Sequence, residues 1–260
     1  MCYYFNIIGS FTNMITATKV RGLLALFGLL SLVLGFFVMG SVRAAVAGVG
    51  IGTYLADDFN GYAAGASLNG RGGISGWDST WTDYTGSGFS AGNFTATASG
   101  ALEDRLSATA SNGSSSHSIA LKRELTSDAS GDTISFKIKS DDGGDAAIGV
   151  LFQGDDAPLY SWSVNLKPTT GHIYLESPYN TQQLGTYSPD TIYTIDVQFD
   201  YANNRARLRV DGGSWSSWNT PPYQTNTKVE AMYLYVDDSG GNGPATTGWW
   251  DDIKMSNEEI

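Results

Sequence analysis

Two pairs of adjacent carboxylates are the residues of this chain whose types and positions could bind a metal ion. The pairs are Asp57-Asp58, just after the apolar N-terminal region, and Asp251-Asp252, near the C-terminus. If the apolar residue after each pair points inward, strand alternation turns Asp58 and Asp252 outward, onto one face if the two strands pair. Calcium takes about six to eight oxygen ligands, which these carboxylates, a backbone carbonyl and water can supply. We therefore expect a structural calcium ion at Asp58, Gly61 and Asp252; the alternative is that the acidic pairs protect a sheet edge or cap a turn.

Aromatic residues form the second group with binding chemistry. The chain has seven tryptophans and fourteen tyrosines, and sugar rings stack their C–H faces on flat, amphipathic aromatic rings. In two segments, aromatic and polar residues alternate with aliphatic ones, which turns them onto a sheet face if the aliphatic residues are buried. Two tryptophans follow the turn at residues 211–212. The alternative is that these aromatics fill the space under a second sheet or under loops. The predicted glycan platform consists of Tyr233, Tyr235, His172, Tyr174, Glu176, Trp215 and Trp218.

A short ladder of arginines is the third group of residues that could bind a ligand. Arg205, Arg207 and Arg209 alternate with apolar residues, so they share one strand face. Such a ladder could hold an acidic polysaccharide, or it could pair with Asp196 across a hairpin.

Few other residues suit catalysis. The two histidines, His117 and His172, have no recognisable acid or nucleophile partner in the sequence, although a Ser-His-Asp site assembles from distant positions. The single cysteine, Cys2, precedes the apolar N-terminal segment, which rules out thiolate catalysis and cysteine-type zinc sites in the rest of the chain. We therefore expect binding without covalent chemistry.

Short β-strands are the elements predicted to position these residues. After Tyr54, turn-forming Gly, Ser, Thr and Asn recur about every 8 to 12 residues, and helical apolar spacing is absent. Residues 133–139 and 193–199 alternate between polar and apolar types, which is typical of half-buried antiparallel strands. About a dozen such segments predict an all-β sandwich of two stacked antiparallel sheets. We find no internal repeat or linker, so residues 48–260 are predicted to form one domain after an N-terminal segment, residues 1–47.

That N-terminal segment is typical of an export signal. Lys19 and Arg21 precede the uncharged residues 22–42, and small residues follow at 44–47. Met14 is a candidate for the true start. The alternative is an uncleaved membrane anchor, since about 20 apolar residues span a bilayer. In either case the remainder is expected outside the cytoplasm: extracellular, periplasmic or at the cell surface.

The charge of the chain narrows its partners. The formal net charge is −11, which disfavours nucleic acid. We expect contact with a membrane only through the N-terminal segment, if that segment stays uncleaved. An extracellular glycan or polysaccharide is the expected partner.

The two ends of the domain resemble a known architecture. The stretch Ala56-Asp57-Asp58-Phe59-Asn60-Gly61-Tyr62, with Gly76-Trp77 further on, resembles the opening of exported bacterial laminin G-like or concanavalin A-like domains, and Trp250-Asp251-Asp252-Ile253 resembles their last strand. The resemblance implies a jelly roll in which the first and last strands pair. This fold hosts lectins, adhesins, glycoside hydrolases and lyases, so it implies an architecture more firmly than an activity.

The catalytic signatures of that fold are not matched here. Laminarinase-type members carry Glu-x-Asp-x-Glu along one strand, because their two carboxyl groups must lie about 5–5.5 Å apart, and this chain has no such cluster. Lys122-Arg123-Glu124-Leu125 is similar to one strand of alginate-lyase-like members, whose other site residues are unmatched. We expect a lectin-like or surface interaction module, with a divergent polysaccharide-degrading enzyme and a membrane-anchored adhesive protein as the alternatives.

Overall fold

Alternating apolar residues build two facing β-sheets. The computed structural model describes residues 53–72, 79–98, 107–111, 118–125, 133–141, 145–157, 160–237 and 245–256. These belong to one compact unit, Ile51–Ile260. The predicted N-terminal signal or anchor, residues 1–47, and His117 lie outside the described residues. No helix in the described part is long and apolar enough to cross a membrane.

The described residues contain fifteen strands and a single 3₁₀ turn at Tyr201–Asn203. The strands are β1 Thr53–Asp57, β2 Thr82–Tyr84, β3 Phe89–Ser90, β4 Thr95–Thr97, β5 Ser107–Ser111, β6 Ser118–Glu124, β7 Thr133–Ser140, β8 Ala147–Gly154, β9 Trp162–Lys167, β10 His172–Ser177, β11 Asn180–Thr186, β12 Tyr193–Asp200, β13 Arg205–Val210, β14 Val229–Asp237 and β15 Thr247–Ser256.

Two sheets form the sandwich, which confirms the predicted all-β, two-sheet jelly-roll class. Sheet I has the strand order β13-β12-β7-β15-β5-β4, with β1 also paired to β15. Sheet II has the order β11-β10-β9-β8-β14-β6-β2, with β3 also paired to β6. All described pairings are antiparallel except that of β3 with β6. The pairing of β1 with β15 joins the first and last strands, as the resemblance implied.

The core lies between the sheets and follows the predicted alternation. In β7, Ile134, Phe136 and Ile138 are fully buried, and the residues opposite them in β12 are buried as well. Trp162 of sheet II and Trp250 of sheet I are also fully buried, and both belong to the same apolar cluster. One face of each sheet is therefore committed to the core, and each opposite face points away from it.

A buried ion pair crosses this core from sheet to sheet. Arg123 of β6 donates from Nη1 to Oδ2 of Asp57 in β1 at 2.6 Å, and both residues are at most 1% exposed. Asp57 also accepts hydrogen bonds from the Trp81 indole and the Tyr62 hydroxyl, each at 3.0 Å. The Arg123 guanidinium lies 5.4 Å from the Trp81 ring centre. Burial, reinforced by the Asp57 carboxylate, raises the pKa of Tyr62 to about 12.

The ion pair corrects one reading of the sequence. Residues 122–125 are similar to an arginine-bearing catalytic strand, but Arg123 points into the interior. Its guanidinium has no access to a ligand on the sheet surface and serves to neutralise Asp57. The strand supplies a structural cation instead of a catalytic one.

Removal of either charge of this pair is predicted to destabilise the protein strongly. Asp57→Ala or Arg123→Met leaves an uncompensated buried charge, and such changes cost about 3–5 kcal/mol. Urea unfolding followed by tryptophan fluorescence measures the loss. The matched control is Glu230→Gln, which breaks the exposed pair with Lys228 and should cost less than about 1 kcal/mol. Equal urea midpoints for Asp57→Ala and the control would contradict the prediction.

Candidate functional site

Five of the seven predicted platform residues lie on the outer face of sheet II. Strand pairing sets directly opposite residues in rows across this face. One row runs Tyr84, Ala120, Tyr235, Gly149, Asn165 and Tyr174. The next row runs Thr82, Lys122, Tyr233, Leu151, Ser163 and Glu176. His172 lies one step beyond, opposite Lys167.

The two β14 tyrosines occupy the predicted face but are covered. Tyr233 and Tyr235 are 2% and 4% exposed. Tyr84 packs edge-on against Tyr233 at 5.1 Å, and Phe89 packs edge-on against Tyr235 at 6.0 Å. Burial raises the pKa of Tyr235 well above its usual value. The expectation that these tyrosines form an accessible platform is therefore wrong, because strands β2 and β3 bring other aromatics over them.

The half of the face formed by β9 and β10 is more accessible. Glu176 Oε1 accepts a hydrogen bond from Lys167 Nζ at 2.7 Å, and that ammonium lies 5.1 Å from the centre of the Tyr174 ring. The other oxygen of Glu176 accepts from the Asn165 amide. The Tyr174 ring meets His172 edge-on at 6.2 Å. A half-buried aromatic ring thus lies beside an ion pair and an amide, which together offer both apolar contact and hydrogen bonds.

Asn165 is the buried member of this group. It is 2% exposed, and its Nδ2 donates to Ser163 Oγ at 3.3 Å as well as to Glu176. Its Oδ1 atom has no hydrogen-bond partner among the residues that the structure describes. A buried polar atom without a partner costs free energy, so most such atoms in folded proteins are satisfied by protein, water or ligand. Asn165 is thus an unused acceptor at the centre of the polar group.

The two platform tryptophans lie on the other sheet, so their assignment to the same site is wrong. Trp218 stacks between Arg205 and Arg207, at 4.4 and 4.6 Å from the guanidinium carbons. Trp215 lies 4.8 Å from Arg207 and 4.5 Å from Arg209. The loop after β13 folds back over its own strand and places indoles between the arginines, a contact that strand alternation does not reveal.

The arginine ladder pairs across its hairpin, as one of the two alternatives predicted. Arg209 donates to Asp196 at 2.7 Å, and these residues are direct partners in the β12–β13 register. Arg205 pairs with Asp200 at 2.8 Å. The ladder is largely neutralised by its own hairpin and stacked with indoles, which disfavours it as a site for an acidic polysaccharide.

The predicted calcium ligands lie near the paired ends of β1 and β15. Asp57 is opposite Ile253, which brings Asp58 next to Asp252, and both are half-buried. Asp252 already pairs with Lys137 at 2.9 Å. Burial, with Asp252 and Asp58 adding to it, raises the pKa of Asp251 to about 7.

The side chains near Asp58 and Asp252 provide few ligands for a calcium ion. No group of three or more His, Cys, Asp or Glu side chains suited to a metal occurs among the described residues. A calcium ion would depend on backbone oxygens such as the Gly61 carbonyl and would displace the Lys137 ammonium from Asp252. The calcium site remains a prediction.

A cleft at the end of sheet II was missed in the sequence. It has a volume of about 480 Å³. Tyr179 and Tyr223 border it, and their side chains are 89% and 93% exposed. Each directly follows a proline, and this repeated Pro-Tyr pair was the available sequence signal. The lining residues are Asp156, Tyr160, Pro178, Tyr179, Pro222, Tyr223 and Gln224.

Comparison with known proteins finds the fold but no family. No family model and no curated protein matches the chain. A sialidase structure is similar over 69% of this chain, with a TM-score of 0.53 and 14% identity, and the match spans only 17% of the sialidase chain. The Crh5 transglycosylase has a TM-score of 0.54 and 11% identity, covering 80% of this chain and 85% of its own. The cellulose-induced protein Cip1 has a TM-score of 0.52 and 11% identity, covering 79% and 98%. At these identities the likeness shows a shared β-sandwich.

Calcium is predicted to raise the melting temperature of the protein. With a Kd of about 0.1 mM, as in extracellular modules, about 10 mM calcium would add about 2.7 kcal/mol of stability. For a domain of about 200 residues this corresponds to a shift of about 5–10 °C. Calorimetry in calcium and in chelator measures it. Asp58→Asn should abolish the shift, whereas Asp190→Asn, at an exposed turn, should keep it; identical melts in calcium and chelator would contradict the site.

Proposed function

We propose that this protein is a non-catalytic glycan-binding module whose ligand lies on the β9–β10 half of the outer face of sheet II. The observation that carries the proposal is the polar and aromatic group formed by Tyr174, Glu176, Lys167 and Asn165 on adjacent strands. Within the shared β-sandwich architecture, the family we propose is the concanavalin A-like or laminin G-like one.

The chemistry of this group suits a sugar. A pyranose has apolar C–H faces and a rim of hydroxyl groups, so it needs a flat ring and a set of hydrogen-bond partners side by side. Tyr174 provides the ring. Lys167 and Glu176 provide a charged donor and acceptor, and Asn165 Oδ1 provides a buried acceptor that no described group uses. A sugar hydroxyl donating to Asn165 would satisfy that atom.

The fold comparisons support the proposal in a general way. A sialidase, a transglycosylase and a cellulose-induced protein share the β-sandwich. By name, the first is a sialidase, the second is a transglycosylase, and the third is a protein induced by cellulose. Fold alone does not transfer activity, so the argument for this chain depends on the residues of its own face.

Binding is favoured over catalysis by the state of Glu176. A glycosidase needs two carboxyl groups on either side of the scissile bond, about 5–9.5 Å apart depending on mechanism. Each oxygen of Glu176 is already engaged, one by Lys167 and the other by Asn165. A carboxylate held in this way is well placed to orient a ligand hydroxyl through its remaining lone pairs.

We place the module outside the cytoplasm. The basis is the order of residues in the N-terminal segment, with basic residues, an apolar stretch and small residues in succession. The negative net charge of −11 is compatible with neutral glycans and disfavours nucleic acid.

Tyr174→Ala is predicted to weaken glycan binding without unfolding the protein. An aromatic contact contributes about 0.5–1.5 kcal/mol, and 1.4 kcal/mol corresponds to about tenfold in Kd, so we expect affinity to fall about two- to twelvefold. The measurement is retention on a panel of immobilised polysaccharides, with released sugar assayed in the same tubes.

The matched control is Trp215→Ala, which removes an aromatic ring from the other sheet. It should bind as the parent does. Release of soluble sugar by the parent protein would overturn the non-catalytic assignment, and unchanged retention of a folded Tyr174→Ala variant would overturn the assignment of the face.

A further inference from the structure

Two exposed tyrosines project from the turns that border the cleft at the end of sheet II. Tyr179 lies between β10 and β11, and Tyr223 lies in the loop before β14. Their exposed fractions are 89% and 93%. Their ring centres are 6.1 Å apart and the rings are nearly perpendicular, at 82°. Large apolar side chains left in solvent are a feature of binding surfaces when they form a shaped group.

The backbone beneath both tyrosines is in an unfavourable conformation. Their φ angles are 66° and 68°, in the left-handed region where glycine and asparagine are favoured and a bulky side chain is disfavoured. Each follows a proline in a turn, the arrangement in which a type II turn selects glycine at the second central position. Since the side chains are in solvent, packing does not compensate for the strain. Strain of this kind concentrates at ligand-binding sites.

Hydrogen bonds hold the two turns together. Asn219 is fully buried and accepts from Ser177 Oγ at 2.6 Å. It donates to the backbone carbonyl of Asn180 at 3.3 Å, and Asn180 in turn donates to Thr220 at 3.5 Å. Residues on both sides of Tyr179 are thereby tied to the side chain of Asn219, and Asn180 links this turn to Thr220, three residues before Tyr223. The turn that carries Tyr179 is therefore held next to the chain that leads to Tyr223, which reduces the entropy lost when a ligand orders this part of the cleft.

The floor of the cleft offers polar groups for hydroxyls. Gln224 donates to the carbonyl of Tyr160 at 3.4 Å, while its Oε1 atom is buried and has no partner within the described part of the chain. Asp156 accepts from the backbone of Thr225 at 2.7 Å. Tyr160 also packs against the Tyr233–Tyr235 cluster, and Glu176 is among the groups that add to the burial-driven rise in the pKa of Tyr160. Tyr160 therefore lines the cleft and also contacts the covered tyrosines of the outer face.

These features define the class of ligand. Asp156 is the one charged residue among the seven described residues that line the cleft, so an anionic sugar is disfavoured. Two perpendicular rings fit a hexopyranose that presents a C–H face to one tyrosine and its edge to the other. A ring with all substituents equatorial, as in glucose, has the flattest C–H faces. The volume, about 480 Å³, falls in the usual range for small-molecule sites.

We infer that the Tyr179–Tyr223 cleft is a second sugar-binding site, which takes a neutral glucose-type pyranose unit of the chain bound along sheet II. The inference deepens the proposed function and depends on it. In this inference, the sugar makes its main aromatic contacts with Tyr179 and Tyr223 at the end of the sheet, and one of its hydroxyl groups donates to the buried Oε1 atom of Gln224.

The test replaces the rings without disturbing the turns. Tyr179→Asn/Tyr223→Asn removes both rings while keeping a residue that tolerates positive φ, and Tyr179→Phe/Tyr223→Phe keeps both rings. The probes are cellohexaose, laminarihexaose and xylohexaose, titrated by calorimetry, with oligogalacturonate as the anionic comparison. We expect the asparagine variant to lose at least tenfold in affinity for the neutral probe that binds, and the phenylalanine variant to stay within about threefold, since 1.4 kcal/mol is tenfold.

A melting curve provides an independent readout. If the tyrosines are kept for binding at the expense of backbone strain, the asparagine variant should melt at the parent temperature or above it. A lower melting temperature would mean that the rings stabilise the fold, and would overturn the inference.

The outcomes separate the cleft from the face. Parental affinity in the asparagine variant, combined with weakened binding in Tyr174→Ala, overturns the cleft and leaves the proposed function standing. Failure of the parent to bind any neutral probe overturns the cleft, and failure on the wider polysaccharide panel overturns the proposed function as well. Stronger binding of oligogalacturonate than of the neutral probes overturns the ligand class.

Discussion

The buried pair of Asp57 and Arg123 is the constraint on which the rest of the sandwich depends. A buried charge is tolerated when it is paired and hydrogen-bonded. The pair meets this condition because Trp81 and Tyr62 also donate to Asp57. The Asp57 carboxylate can pair with Arg123 only if β1 joins sheet I at a position that faces β6 across the core. The connection between β1 and β2 must also return to place both donors. One carboxylate therefore fixes the relation of the first strand to both sheets.

The same pair fixes which face of sheet II points outward. Because Arg123 points inward, its neighbours Lys122 and Glu124 point outward. Lys122 is opposite Tyr233 in β14, so the tyrosines share the outer face, and the register continues through β8 and β9 to Tyr174 and Glu176. A slip of one residue in β6 would bury lysine and expose arginine. The candidate site is thus positioned by an interaction on the opposite side of its sheet.

The sequence predicts which residues share a strand face, because this depends on alternation. It does not predict which residues of that face are buried by side chains from other parts of the chain. Strands at residues 133–139 and 193–199 are confirmed, because the alternation of apolar residues that marks their core-facing side is present in the chain itself. The expectation that residues 133–139 are half-buried is wrong, since the polar residues of this strand are almost all buried too. Alternation also placed Tyr233 and Tyr235 on the correct face. It could not show that Tyr84 and Phe89 would cover them, since those residues arrive from strands far along the chain. The stacking of Trp215 on the arginines was missed for the same reason, because the position of a loop is determined by tertiary contacts that the local sequence does not show.

The strained residues distinguish the cleft from the arginine ladder, because at the cleft the proposed binding role runs against the stability of the backbone. Eight described non-glycine residues have positive φ, and several are Asp or Asn, which tolerate that region. Phe59 does not tolerate it well, but its ring is fully buried and stacks with Trp81 at 6.1 Å, so core packing offsets the strain. Tyr179 and Tyr223 carry the same conformational cost with their rings in solvent. A sequence selected for stability alone would place glycine or asparagine at both turns, whereas the sugar-binding role that we propose would explain why the two rings are there.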